Sequence, residues 1–224
     1  MDLELPPELK RIIRDRYLAG IADAEAKYRL SSADEDALTG ALGHSISMAH
    51  PMIYLDGHKQ YEYQILYQKI RGRGRGAPEK SLGADGIFQI EVRDENGERR
   101  KGLPFQSKKQ WRATDGKLLQ QTVDMLETAG DGIVIDYRPN QYAACRAEDV
   151  VHNHGNRRLI DKAGKAEPLG QLLGNDFLNC NIGQSGLFFD PTTETWQTDT
   201  GSVPAAAQHV ITTQVAQVRS IDPL

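Results

Sequence analysis

Apolar residues recur at helical spacing over residues 7–28, where Leu9, Ile12, Ile13, Tyr17, Ile21 and Ala24 form one stripe between Arg and Lys positions. Ser31-Ser32 interrupts the stripe, and Ser32 followed by Glu35 is a capping-box pattern. It predicts a second helix over 33–47, ended by His50-Pro51. Residues 52–70 change to a period of two, with Tyr61, Tyr63, Ile65 and Tyr67 on one face, which predicts strand. A short strand is expected over 86–92 and its return over 103–109, joined through Asp94-Glu-Asn96-Gly97, whose Asn-Gly pair is a strong hairpin signal. A helix over 117–129 follows, stopped by Gly130-Asp131-Gly132, then an apolar strand over 133–137 suited to a sheet interior. Residues 140–151 read as helix again. Beyond Val151 the pattern weakens to a Gly-rich loop, a short helix near 166–174, a hairpin-like segment over 186–190 and an amphipathic stretch over 204–221. In that last stretch Val210, Ile211, Val215, Val218 and Ile221 read as a final core helix or as an oligomer contact.

At 224 residues the chain is expected to form one domain, with a core over about 30–150 and a C-terminal extension over 151–224. Hydrophobic residues at 39% and charged residues at 26% match an ordinary globular protein. Cys145 and Cys180 are far apart and form no CxxC pair, which argues against a disulfide scaffold or zinc ribbon and suits a reducing cytoplasm. No apolar run approaches the ~18 residues that span a bilayer. The start, Met-Asp-Leu-Glu-Leu-Pro-Pro, lacks the basic and apolar regions of a signal peptide. A cytoplasmic chain without a membrane partner is expected. Net charge is −4, so any nucleic-acid contact must come from a local cationic patch.

The candidate chemistry sits on the expected hairpin. Gln106 and Lys108 are two apart on a strand and project from one face, and Asp85 on the partner strand can lie beside them. A carboxylate and an amide oxygen are hard ligands suited to Mg²⁺, while the Lys108 ammonium can stabilise negative charge on a phosphate. The segments Gly83-Ala84-Asp85-Gly86 and Phe105-Gln106-Ser107-Lys108-Lys109, followed by the expected helix, strand and helix, resemble the PD-(D/E)XK restriction-endonuclease-like superfamily, in its Mrr-like branch with Gln in the third position. The resemblance covers about residues 30–150. It implies an α/β fold with a mixed central sheet flanked by helices, and a Mg²⁺- or Mn²⁺-dependent DNA endonuclease of bacterial restriction or phage defence. It further implies catalysis by Asp85, Gln106 and Lys108, with an acidic residue from a preceding helix joining the metal site.

Glu35 is the candidate for that acid, which would make Asp85, Gln106 and Glu35 the metal ligands. Glu35 reads equally as the reciprocal half of the Ser32 capping box, and Asp34, Asp36 and Glu79 compete for the role. Glu91 shares the facing parity of Asp85 and reads either as a further ligand or as a solvated hairpin carboxylate. Gln106 in place of an acid removes one negative charge and favours one weakly held ion over a tight pair. Arg71, Arg73, Arg75 and Lys80 form a glycine-spaced cationic stretch that can grip phosphates or remain a solvated loop, with Lys109, Arg112 and Lys117 extending it. His152-Asn153-His154 spells HNH but lacks the dispersed spacing of that nuclease motif, and His44, His50 and His58 lack zinc-ligand spacing. Trp111 and Trp196 are expected in the core. Two alternatives to a nuclease stay open: a non-catalytic nucleic-acid or protein-binding module, and an effector subunit regulated by a partner protein or by self-association.

Overall fold

A computed structural model of the chain describes residues 3–70, 83–198, 201–204 and 207–220. The first helix, α1 (Pro7–Ala26), starts with proline, whose missing N–H belongs to an unpaired position in any case. A short turn, α2 (Tyr28–Ser31), leads to α3 (Glu35–Ile46). The cap of α3 is Asp34 rather than Ser32, its carboxylate accepting from Ala37 N at 2.8 Å. An aspartate immediately before the first helical residue reaches that N–H where Ser32, two residues further out, cannot. The expected strand region 52–70 is a hairpin, β1 (Met52–Asp56) with β2 (Lys59–Lys69). The expected hairpin forms, joining β3 (Gly86–Asp94) to β4 (Gly97–Lys109), but its turn is Glu95-Asn96 and Gly97 already pairs with Asp94, one residue off the expected Asn-Gly centre. Helix α4 (Gly116–Ala129) is capped by Asp115 and ends at Gly130, and β5 (Ile133–Arg138) follows.

Two stretches differ from expectation. Residues 140–151 are a strand, β6 (Gln141–Arg146), before a short helix, α5 (Ala147–His152). The Pro139-Asn140 pair makes a tight turn with Asn140 at φ +62°, returning the chain antiparallel to β5. After α6 (Arg157–Lys162), β7 (Glu167–Pro168) and α7 (Leu169–Gln171), a π-helical turn spans Leu172–Phe177. Short strands β8 (Gln184–Ser185), β9 (Phe188–Asp190), β10 (Thr195–Thr198) and β11 (Gly201–Pro204) come next. The stretch expected as a helix or oligomer contact is instead a strand, β12 (His209–Ser220). Its run of Val, Ile and Thr is stiff at χ1 and fits a pleated sheet better than a helix.

The result is a mixed α/β architecture around one mixed sheet in the order β1-β2-β12-β3-β4-β5-β6-β7, with β8 also paired to β4. β12 runs antiparallel to β2 and parallel to β3, and β4 runs parallel to β5. Both faces are covered. Phe88 and Ile211 pack with Leu9, Ile13, Tyr17, Leu38 and Leu42 of the α1/α3 layer. Their chain neighbours Ile87 and Val210 pack on the other side with Met125, Ala129, Phe189 and Trp196. Leu118, Val134, Val150, Ile160 and Trp111 form a further cluster on that side. Both tryptophans are buried, as expected. Among the described residues no helix is long and apolar enough to cross a membrane.

Candidate functional site

Where β3 begins, β4 has already run past it. Gly86 pairs with Phe105, whereas Gln106 to Lys109 pair only with β5, so the sheet opens between the start of β3 and the end of β4. Asp85 stands at this opening. Its N–H donates to Phe105 O at 2.8 Å, and its carbonyl accepts from Gln208 N at 2.9 Å and His209 N at 3.2 Å, which fixes it between β4 and β12. Gly83 makes the approach possible. At φ +64° it adopts a left-handed conformation, and a Cβ there would lie 1.9 Å from the Gln121 carbonyl oxygen of α4.

The Asp85 Oδ2 accepts three hydrogen bonds, from Gln106 Nε2 at 2.7 Å, Ser107 N at 2.9 Å and Ser107 Oγ at 2.7 Å. Phe105 faces the α1/α3 layer, so alternation turns Gln106 and Lys108 toward the α4 side. Lys108 Nζ lies 3.4 Å from Asp115 Oδ2, the cap of α4. From the other layer, Glu35 Oε1 accepts from Lys109 N at 3.0 Å. Glu35, Asp85, Gln106, Ser107 and Lys108 line one polar cleft of about 180 Å³, together with Asp36, Lys117, Gln121, Gln208 and His209.

Compared with protein-family models, curated proteins and solved structures, the chain finds no match. Its chemistry is therefore read from its own side chains.

Of the sequence candidates, Asp85, Gln106, Lys108 and Glu35 meet in the cleft, and Asp36 lines it too. Asp34 is spent as a helix cap. Glu91 is elsewhere, accepting from Gln214 at 3.2 Å and facing Arg100 at 3.5 Å, because β3 carries it five residues away from the opening. Lys109 turns its ammonium back onto the Ser32 and Ala33 carbonyls before α3, the latter at 3.4 Å, rather than outward. Arg71, Arg73, Arg75, Glu79 and Lys80 fall in 71–82, outside the described residues.

The sequence reading missed Ser107, Gln121, Gln208, His209 and Lys69. His209 is 1% exposed, with Nε2 at 3.0 Å from Asp36 Oδ1 and Nδ1 at 2.8 Å from the Tyr67 hydroxyl. Lys69 Nζ donates to Asp36 Oδ2 at 2.6 Å. Burial pushes the His209 pKa below its ordinary value, against the pull of Asp36 in the other direction. Burial alone would raise the Asp36 carboxyl, but Lys69 and His209 outweigh it and hold it below the usual range. The phenol of Tyr67 is pushed up to about 12 by burial and by Asp36.

A hydrated Mg²⁺ or Mn²⁺ fits these donors loosely. Among the described residues no three His, Cys, Asp or Glu side chains are grouped so as to hold an ion by themselves. Gln106, however, is 3% exposed, and its Oε1 is buried and meets no hydrogen-bond donor among the described residues. Such an orphaned acceptor costs about 1–3 kcal/mol unless something else meets it. An amide oxygen beside carboxylates is the donor set of a weakly held, mostly hydrated hard cation.

Proposed function

We propose that this chain is a divalent-metal-dependent phosphodiester hydrolase that cuts DNA internally, built on a restriction-endonuclease-like core and serving restriction or phage defence. The observation that carries this reading is the convergence of Asp85, Gln106, Lys108 and Glu35 on one polar cleft, with the Gln106 amide oxygen buried and unpartnered. Asp85, Gln106 and Glu35 would hold Mg²⁺ or Mn²⁺, which when bound supplies Lewis acidity toward a phosphate oxygen and acidifies a coordinated water. The chain's own groups prepare the rest. Gln106 Nε2 and Ser107 fix the Asp85 carboxylate, so it needs no reorganisation during the reaction. At 3.4 Å from Asp115, Lys108 is held loosely enough for a substrate phosphate to compete for it, and its ammonium then stabilises charge developing on the phosphoryl oxygens. The exposed Lys117 at the rim offers a phosphate contact that positions the strand.

A second reading, a non-catalytic binding module or regulated effector subunit, is favoured by the three protein hydrogen bonds already on Asp85 Oδ2. Nicking of supercoiled plasmid in Mg²⁺ by the wild type, Asp85→Ala and Lys108→Ala separates the two. Each substitution is expected to slow cleavage by about a hundredfold or more. Equal rates for all three proteins would overturn the hydrolase reading, and absence of Mg²⁺ binding by calorimetry would favour the module.

A further inference from the structure

Gln121 lies on α4 one turn beyond Lys117, so both side chains face the same cleft. Its backbone carbonyl is the surface on which the Gly83 turn rests, so Gln121 is coupled to the placement of Asp85. Its side-chain Oε1 is buried and accepts no hydrogen bond from the described residues, as is also true of Gln106 Oε1. The neighbouring Gln120 behaves as a surface glutamine does, exposed and donating to Asp124 at 2.8 Å. Two orphaned amide oxygens in one cleft are uncommon unless a ligand supplies what they lack.

The chemistry of the cleft defines that ligand. Its walls carry Glu35, Asp36 and Asp85 with the two amide oxygens, while Lys108 sits by Asp115 and Lys69 neutralises Asp36. In a cleft whose rim also carries Lys117, the two amide oxygens are hard acceptors that meet no donor among the described residues, and they call for a cation or for the strongly polarised waters around one. We propose that Gln121 is a further residue of the cation site, its amide oxygen acting with that of Gln106 to hold a hydrated divalent ion. This rests on the nuclease reading and adds to it a ligand contributed by α4, outside the β3–β4 hairpin.

The test is Mn²⁺ binding to the full chain, followed by the electron paramagnetic resonance signal of the free ion, for the wild type, Gln121→Leu, Gln121→Glu and Gln120→Leu. Circular dichroism melts accompany each variant. Gln121→Leu is expected to weaken Mn²⁺ binding by about tenfold, the scale on which supporting groups act at metal sites. Gln121→Glu is expected to tighten it by a similar factor, because a carboxylate replaces a neutral amide. Gln120→Leu should leave binding unchanged. A merely structural glutamine gives no tightening with Glu, so that arm decides the matter even if the Leu variant unfolds. Wild-type affinity in Gln121→Glu overturns the role of Gln121 while leaving the nuclease reading intact. Failure of the wild type itself to bind Mn²⁺ overturns the nuclease reading, and the role of Gln121 with it.

Discussion

His209 meets two partners with a single ring proton. A carboxylate only accepts, so Nε2 carries the hydrogen toward Asp36, leaving Nδ1 to accept from the Tyr67 hydroxyl. The neutral ring therefore satisfies both contacts, in agreement with a pKa lowered by burial. As pH falls through about 6.5, the unfolded chain protonates this histidine before the folded one does. The unfolded state then binds more protons, so stability falls in that window. Asp36 adds its own loss further down, since its depressed carboxyl contributes stability above the unfolded value and loses it as pH drops through the folded one. Thermal melts between pH 5 and 8 are expected to show a shallower acid-side decline for His209→Gln than for the wild type. Parallel curves would contradict this assignment of the proton. Lys69 and Asp85, the other charges acting on the ring, are present in both proteins and leave the comparison intact.

Among the elements, the β3–β4 hairpin was legible because each of its signals is local. The polar Asp94–Gly97 stretch marks the turn, which falls on Glu95-Asn96 with Gly97 at φ +110° opening the return strand, and the two-residue spacing of Gln106 and Lys108 sets their common face. The cap of α3 was displaced by two residues because Asp34 competes with Ser32 and wins by position. β6 was hidden by Ala143 and Ala144, good helix formers that occupy a strand here because small side chains fit beneath the packed layers. β12 was hidden by its spacing. Val210, Ile211 and Val215 mimic a helical stripe, yet in the sheet they alternate between opposite cores. Ser107, Gln121 and His209 had no local signature at all, since their roles exist only once distant segments meet. Because β12 lies between β2 and β3, its removal exposes two interior strand edges and both cores. Truncation after residue 203 is expected to abolish cooperative melting. A truncated chain that melts cooperatively near the wild-type temperature would show that the sheet closes without β12.

For the whole molecule, the site is a property of the sheet's open end and of no single segment. Glu35 comes from the layer on one face, Lys117 and Gln121 from the helix on the other, and Gln106 and His209 from β4 and β12 with Asp85 just before β3 between them. Residues 35 to 209 must all be in register before the cleft exists, so local unfolding at either end of the chain should abolish it. A net charge of −4 provides no long-range attraction for a polyanion, so the proposed DNA contact would have to come from cations near the cleft. The resemblance to a restriction-type nuclease was carried by residues 83–86 and 105–109 and by the helix, strand and helix expected after them, of which the last begins as the strand β6; the proposal rests instead on the convergence of Asp85, Gln106 and Lys108 with Glu35. The central claim is that this convergence holds an ion. A crystal structure of the full chain grown with Mn²⁺, with the ion located by its anomalous scattering, tests it directly. One peak is expected in the cleft at about 2.0–2.3 Å from Gln106 Oε1 and an Asp85 carboxylate oxygen. A cleft without a peak at saturating Mn²⁺, or an ion bound only outside it, would contradict the account.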